Sequence, residues 1–308
     1  MTKKIIAVAG PTASGKTALA IELAKRFSGE VVSCDSMQIY KGMDVGTAKP
    51  DADEMCGIPH HMIDIAVPDK RFSVAEYCTM ARDAIDHILS LGRLPILAGG
   101  TGLYMDSVLN NTDFKDFQGD KEFCAEMQRL AGEKGNTAVH RLLEEKDAVA
   151  AQNIHPNNLR RVIRALEVCH VTGKTFTQVN AESIRKPVYD ALVLGIETDR
   201  QLLYQRIDRR VDIMLEKGLL DEVKELKKAG IGRDTTAMQA IGYKELLDFL
   251  EGEISFDGAV DKIKQESRRY AKRQLTWFRR NPDINWVSIG DEKSIEEIIE
   301  RCKSFLNS

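Results

Sequence analysis

The octapeptide GPTASGKT occupies residues 10–17 and says more about the architecture than any other part of the chain. An apolar run, Ile5–Ala9, precedes it and predicts a buried strand, whereas Thr17–Phe27 has apolar residues every four positions and predicts a helix. A glycine-rich turn between a strand and a helix, ending in Lys-Thr, is typical of phosphate-binding loops. A chance match is the alternative, and the intact flanking pattern disfavours it.

Each residue type in this turn has a physical role in binding phosphate. Glycines let the backbone curl around oxygen atoms with its N–H groups pointing inward, and the helix N-terminus adds partial positive charge. Lys16 supplies a point charge, and the Thr17 hydroxyl is the natural Mg²⁺ ligand. We therefore expect a diphosphate or triphosphate with Mg²⁺ to be bound by Gly10, Pro11, Thr12, Ala13, Ser14, Gly15, Lys16 and Thr17.

Further apolar runs alternate with amphipathic segments. Glu30–Ser33, Leu94–Ala98 and Tyr189–Ile196 predict strands, and Ser73–Leu91 predicts a helix between the first two. This alternation indicates an α/β fold with a doubly wound parallel sheet, and the loop at residues 10–17 makes it P-loop NTPase-like. A last edge strand is expected near Trp286.

The middle of the chain lacks the apolar runs that predict strands elsewhere. From Asp113 to about Lys186 the pattern is helical, with segments near Lys121–Lys134 and Asn157–Thr172. We therefore predict a P-loop core with C-terminal helices, residues 1–112 and 187–308, interrupted by a helical insertion domain at residues 113–186.

Composition excludes several classes of protein. The chain is 43% hydrophobic and 30% charged, close to globular averages, which disfavours a disordered protein. No apolar run approaches a membrane span and no targeting segment is evident, so we expect a cytoplasmic protein. We also expect it to be a monomer. The six cysteines form no C-x-x-C pair, and the group Cys56, His60 and His61 matches no standard zinc spacing.

Asp35 directly follows the predicted strand at residues 30–33. Because the carboxyl ends of parallel strands share one edge of a sheet, its carboxylate should face the same crevice as the phosphate loop. There it could ligate Mg²⁺ or accept a proton from an attacking group. Capping of a helix is the competing role, since aspartate also favours that position.

The strand at Leu94–Ala98 ends in Gly99-Gly100-Thr101-Gly102 rather than in the aspartate expected of an NTPase. The glycines indicate close approach of the backbone to a ligand, and Thr101 presents a hydroxyl at the strand end. A plain turn is the alternative.

Arginine clusters lie downstream. Arg160, Arg161 and Arg164 fall on a predicted helix of the insertion, and Arg206–Arg210 follows the strand at residues 189–196. Arginine's planar fork suits phosphate recognition. The segment Arg268–Arg280 is strongly basic, which is compatible with polyanion binding. Salt bridges to local acids are the alternative for the clusters at residues 160–164 and 206–210, and a solvated helix is the alternative for the segment 268–280.

Taken together, these motifs resemble the tRNA dimethylallyltransferases, also called tRNA isopentenyltransferases, of the shorter bacterial type. The resemblance covers nearly the whole chain and is specific because several long motifs occur in order: residues 10–17, Asp35–Tyr40, Gly46–Pro50, Gly57–Asp64, Gly99–Tyr104, Arg164–Glu167 and Ala240–Lys244. No paired cysteines and histidines follow at the C-terminal end, unlike in eukaryotic relatives with a zinc finger.

The resemblance implies an activity. Family members bind dimethylallyl diphosphate with Mg²⁺ and transfer the dimethylallyl group to N6 of the adenine immediately 3′ of the anticodon. The tRNAs concerned read codons beginning with U, and diphosphate is released. The expected partners are therefore dimethylallyl diphosphate and a tRNA anticodon stem-loop, whose target base must leave its stack.

The same resemblance implies residue roles. Asp35 is expected to be the general base, Thr101 to hydrogen-bond the reacting region, and Arg210 to balance charge on the diphosphate together with Lys16. The tRNA-binding residues implied are Asp35, Ser36, Met37, Gln38, Thr101, Arg160, Arg161, Val162, Ile163 and Arg164. The insertion would then act as a clamp on the anticodon stem.

Two other functions fit parts of the pattern. An adenylate isopentenyltransferase shares the core and the prenyl donor but has no need of Arg160–Arg164 or of the basic segment 268–280. A small-molecule P-loop kinase or a nucleotide-gated RNA-binding module would share only the phosphate loop, and would bind ATP. Without the resemblance, the residues alone indicate a magnesium-dependent enzyme that acts on a phosphate compound.

Overall fold

A computed structural model describes residues 3–110, 119–182 and 187–308. Its strands are β1 (Lys4–Ala9), β2 (Gly29–Ser33), β3 (His60–His61), β4 (Leu94–Gly99), β5 (Asp190–Glu197) and β6 (Asn285–Ser288). Its α-helices are α1 (Lys16–Phe27), α2 (Ala52–Met55), α3 (Val74–Ser90), α4 (Gly102–Leu109), α5 (Lys121–Lys134), α6 (Asn136–Lys146), α7 (Ala148–Asn153), α8 (Leu159–Thr172), α9 (Phe176–Glu182), α10 (Arg200–Glu216), α11 (Leu219–Lys228), α12 (Tyr243–Leu250), α13 (Phe256–Phe278) and α14 (Glu292–Asn307).

The six strands form one parallel sheet in the order β3-β2-β4-β1-β5-β6. Val8 of β1 lies opposite Ala98 of β4 on one side and Leu194 of β5 on the other. β1 is therefore central and buried, as its unbroken apolar run predicts. The predicted α/β fold class with a doubly wound, P-loop NTPase-like sheet is confirmed.

Helices bury the apolar sheet surface. Leu19 and Leu23 of α1 pack with Ile298 and Ile299 of α14 against strand residues of β1, β4 and β5. Helix α3 packs on β2 and β4, and it begins with a capping box in which Ser73 and Glu76 bond each other's backbone N–H.

The order of strands brings three turns to one edge of the sheet. β1 ends at Ala9, its neighbour β4 ends at Gly99, and β2 beyond it ends at Ser33. The phosphate loop, the Gly99–Gly102 turn and Asp35 follow these strands directly. This edge is where open α/β sheets place their ligand sites.

The described residues 3–110 and 187–308 form one compact unit, and residues 119–182 form a second. The second unit contains α5 to α9 and has its own core, which includes Val139, Leu143 and Val162. Of the predicted insertion at residues 113–186, positions 113–118 and 183–186 lie outside the described residues. Within the described ranges, no helix is long and apolar enough to cross a membrane.

Candidate active site

The phosphate loop is a tight turn whose shape depends on small residues. Gly15 has φ 91° and Ala13 has φ 62°, both in the left-handed region. A Cβ added to Gly10 would lie 2.7 Å from the Ser14 Oγ. Glycine is therefore favoured at position 10 because there is no room for a Cβ, and at position 15 because its φ is positive.

The loop contains polar groups that are available to bind a ligand. Within the described part of the chain, the buried Ser14 Oγ has no hydrogen-bond partner. No side chain caps the N-terminus of α1, so its first N–H groups also point into the turn. Orphaned donors at a helix N-terminus are well suited to anion binding.

Two cations face each other beside this loop. Burial and, to a smaller extent, the positive charge of Arg210 together lower the pKa of Lys16 to about 8, although the negative charge of Asp35 acts in the opposite direction. Burial also lowers the pKa of Arg210, which extends from α10, and among the described residues its buried Nε has no partner. Two buried cations of this kind are suited to binding the charge of a diphosphate.

Asp35 uses one of its oxygens to hold a turn. Oδ1 accepts hydrogen bonds from the backbone N–H of Met37 at 2.8 Å and of Gln38 at 3.3 Å. Oδ2 takes part in none of the hydrogen bonds formed by the described residues, and the side chain lines a cavity. Asp35 therefore caps a turn and not a helix, and its second oxygen is left for chemistry.

Thr101 connects the Gly99–Gly102 turn to the Asp35 segment. It stands at the N-cap of α4 but makes no side-chain cap; its Oγ1 instead accepts the Ser36 N–H at 3.1 Å. Its own N–H donates to the Cys34 carbonyl at 3.1 Å. A Cβ added to Gly99 would lie 2.1 Å from that same carbonyl oxygen, so the close approach requires glycine.

Two residues of α13 complete this site and were missed by the sequence reasoning. The Gln274 Oε1 accepts the Thr12 N–H at 2.9 Å, and its Nε2 donates to the Gly100 carbonyl at 2.9 Å. The Tyr270 side chain lines the same cavity as Gln274, and burial raises the pKa of Tyr270 to about 12. The sequence pattern that could have indicated them is the spacing of four positions between two uncharged residues, Tyr270 and Gln274, in a basic helix.

These groups surround a cavity of about 350 Å³. Its polar lining includes Thr12, Lys16, Thr17, Asp35, Ser36, Gln38, Arg210, Arg273 and Gln274, along with Met37. Another part of the wall is apolar and is formed by Ile207, Val211, Met214, Leu219, Ile241 and Ile263. A ligand with a charged end and a small apolar end would match both parts.

The arginine clusters separate on the structure. Arg160, Arg161 and Arg164 are exposed on α8 in the helical unit, where Arg164 bonds Glu167 at 2.7 Å. Val162 and Ile163, between them, are buried in that unit's core, so only the arginine side chains of this run are presented to solvent.

Some of the basic side chains at residues 268–280 form ion pairs with acidic residues. Arg268 pairs with Asp208, and Arg269 pairs with Glu266 at 2.6 Å. Local salt bridges therefore account for part of its charge. Its inner face belongs to the cavity through Tyr270, Arg273 and Gln274.

Comparisons with known proteins agree with this geometry. A family model described as IPP transferase matches residues 38–281. The tRNA dimethylallyltransferase of Caldanaerobacter subterraneus subsp. tengcongensis is 50% identical and covers 99% of this chain and 98% of its own. The crystal structure of the tRNA isopentenylpyrophosphate transferase of Bacillus halodurans is 45% identical, with a TM-score of 0.76 over 100% of this chain and 97% of its own. The structure of a eukaryotic dimethylallyltransferase acting on tRNA is 31% identical in sequence and has a TM-score of 0.78. The match covers 93% of this chain and 74% of the eukaryotic chain.

Proposed function

The chain belongs to the IPP transferase family, and from that membership we propose that it prenylates tRNA. It transfers the dimethylallyl group of dimethylallyl diphosphate to N6 of the adenine 3′-adjacent to the anticodon, in tRNAs reading codons that begin with U, and releases diphosphate. The observation that carries the proposal is one cavity holding the anion-binding loop, Asp35 and an apolar wall. We further propose that it acts as a cytoplasmic monomer.

The donor's diphosphate occupies the phosphate loop. Backbone N–H groups of the turn and the Ser14 hydroxyl bind its oxygens, and Lys16 and Arg210 face its charge. The dimethylallyl group lies against the apolar wall. Negative charge grows on the bridging oxygen as its bond to carbon breaks, and the two cations stabilise that charge.

The acceptor is an exocyclic amine, which is a weak nucleophile because its lone pair is delocalised into the adenine ring. Its nitrogen forms a bond to the first carbon of the dimethylallyl group while the carbon–oxygen bond breaks toward diphosphate. Asp35 accepts the proton of the amine, and its Oδ2 is the oxygen available for this. Thr101, held against Ser36, presents its hydroxyl to the same region.

The residues present fit a Mg²⁺ ion of limited protein ligation. The Thr17 hydroxyl lines the cavity, while the described residues contain no cluster of three His, Cys, Asp or Glu side chains able to hold a metal. Mg²⁺ commonly keeps several waters and shares substrate phosphates, so one protein hydroxyl is sufficient. When bound, the ion would neutralise part of the diphosphate charge.

The tRNA is bound by two sets of residues. Asp35, Ser36, Met37 and Gln38, with Thr101, contact the target base, whose unstacking costs a few kcal/mol. Arg160, Arg161 and Arg164 contact the backbone of the anticodon stem-loop, on a helix that Val162 and Ile163 hold in its unit's core.

The test uses the purified protein with dimethylallyl diphosphate, Mg²⁺ and unmodified tRNA, followed by mass spectrometry of nucleoside digests. The expected product is N6-dimethylallyladenosine at the position 3′ of the anticodon, with one diphosphate released per transfer. Preferential prenylation of free AMP would identify an adenylate isopentenyltransferase. ATP consumption without prenyl transfer would identify a kinase, and either result overturns the proposal.

A further inference from the structure

A short loop at residues 44–49 is held from outside by one carboxylate. Glu222 of α11 accepts the backbone N–H groups of Asp44 at 2.7 Å, Val45 at 2.8 Å and Gly46 at 3.0 Å. It also accepts the hydroxyl of the buried Tyr243 at 2.6 Å. Four donors therefore bind this single carboxylate, three of them from the backbone of the loop, and these hydrogen bonds fix the position of the loop.

The 44–49 loop is also folded tightly on itself. Ala48 donates to the Val45 carbonyl at 3.0 Å, and Lys49 donates to the Asp44 carbonyl at 2.9 Å. The Thr47 hydroxyl donates to the Met43 carbonyl at 2.6 Å. Ala48 adopts φ 44°, in the left-handed region, which an L residue keeps only where its surroundings enforce it.

The inner side of the 44–49 loop determines the orientation of Gln38. The Gln38 Nε2 donates to the carbonyls of Thr47 at 3.3 Å and Ala48 at 3.2 Å. The Ser33 hydroxyl donates to the Gln38 Oε1 at 3.0 Å. Both ends of the amide are specified, so the group meets the cavity in one orientation, with its oxygen still able to accept a second hydrogen bond.

We propose that Glu222 is a positioning residue for recognition of the tRNA, acting through the 44–49 loop to fix the orientation of Gln38. The inference rests on the proposed function, in which Gln38 contacts the target base. Glu222 itself is not among the residues that line the cavity. It should therefore affect the tRNA and leave the handling of dimethylallyl diphosphate unchanged.

The principal test is Glu222→Gln. An amide has one accepting oxygen and one donating nitrogen, so at least one backbone N–H of the 44–49 loop would face another donor. The expected result is a rise of about tenfold in KM for tRNA, with KM for dimethylallyl diphosphate unchanged. Glu225→Gln, an exposed position on the same helix, is the matched control and should match the parent.

A merely structural role would raise both Michaelis constants or lower kcat at unchanged KM, and either outcome overturns the proposal. Tyr243→Phe supplies a milder variant that removes one donor to Glu222 and keeps the packing. It should raise KM for tRNA in the same direction by a smaller factor. Circular dichroism at the assay temperature verifies that each variant is folded.

A double-mutant cycle tests the route through Gln38. If Glu222 acts by orienting that amide, Glu222→Gln should have no further effect on KM for tRNA once Gln38→Ala is present. Additive effects would overturn the proposal. Failure of the parent protein to prenylate tRNA would instead refute the proposed function, so the two failures are distinguishable.

Discussion

Asp35 divides its two oxygens between structure and chemistry. Oδ1 holds the turn at residues 36–38 through two backbone N–H groups, while Oδ2 remains available toward the cavity. An aspartate that caps a turn is held in one rotamer, which is an advantage for a base that must meet a substrate amine. A structural role in the turn and a catalytic role as base are therefore compatible in Asp35.

This division makes Asp35→Asn a clean test of the base. The amide oxygen can keep both turn hydrogen bonds, whereas the basic oxygen is lost. We expect kcat to fall by about 10²- to 10⁴-fold while tRNA affinity changes little. Single-turnover prenylation and filter binding measure the two effects. A variant that retains the parental kcat would refute the assignment of Asp35 as base.

Lys16 predicts a pH dependence of diphosphate binding. Its pKa is lowered from 10.5 to about 8, chiefly by burial. The folded pKa lies below the unfolded one, so the cost of burying the charge is fully present below pH 8. Without ligand, this contribution should make the protein more stable as pH rises from 8 to 10.5. Diphosphate affinity should change in the opposite direction, because the charge is lost above pH 8.

The measurement is calorimetric titration with diphosphate from pH 7 to 9.5, for the parent and for Lys16→Gln. Their affinity ratio cancels ionisation of the ligand itself. We expect the ratio to fall above pH 8 by at most about tenfold per pH unit. A ratio that stays constant across this range would show that Lys16 does not titrate as proposed.

At the scale of elements, α13 supplies a clamp that joins two turns. Gln274 bridges the phosphate loop and the Gly99–Gly102 turn by accepting from Thr12 and donating to Gly100. It is 5% exposed, so these bonds are made where water cannot easily replace them. The helix thereby fixes the spacing between the sites proposed for diphosphate and acceptor.

Gln274→Ala should weaken both the fold and donor binding. Leaving the Thr12 N–H and the Gly100 carbonyl without this partner should cost about 1–3 kcal/mol of stability and raise KM for dimethylallyl diphosphate roughly tenfold. Chemical denaturation and steady-state kinetics measure these effects. Gln265→Ala, at an exposed position of the same helix, is the control. Lost stability with an unchanged KM would contradict the clamp.

The elements also show what local sequence can and cannot reveal. Ile5–Ala9 and Leu94–Ala98 were predictable because buried parallel strands are continuous apolar runs. β3 was not, since it has two residues, both histidine, and therefore no periodicity. Gln274 was hidden for another reason: its partner Thr12 is 262 positions away, and no local pattern encodes that contact.

At the scale of the whole molecule, each compact unit has a hydrophobic core of its own. The sheet unit is built on residues such as Leu23 and Val8, and the helical unit on residues such as Leu143 and Val162. The cavity and the phosphate loop belong entirely to the sheet unit, and the exposed arginines of α8 belong to the helical unit. Diphosphate binding should therefore respond to the core of the sheet unit, whereas the proposed contacts of α8 with the tRNA backbone should respond to the core of the helical unit.

Leu143→Ala tests this separation. Leu143 is fully buried, so the substitution should destabilise the helical unit by about 2–5 kcal/mol. Because α8 packs in the same core, tRNA prenylation at low tRNA concentration should fall, and protease cleavage within residues 119–182 should accelerate. Diphosphate affinity should not change. Leu23 is equally buried but lies in α1, the helix that follows the phosphate loop, so Leu23→Ala should lower both diphosphate affinity and tRNA prenylation. Equal loss of diphosphate affinity in the two variants would mean that the cores are coupled, and that the helical unit does more than bind tRNA.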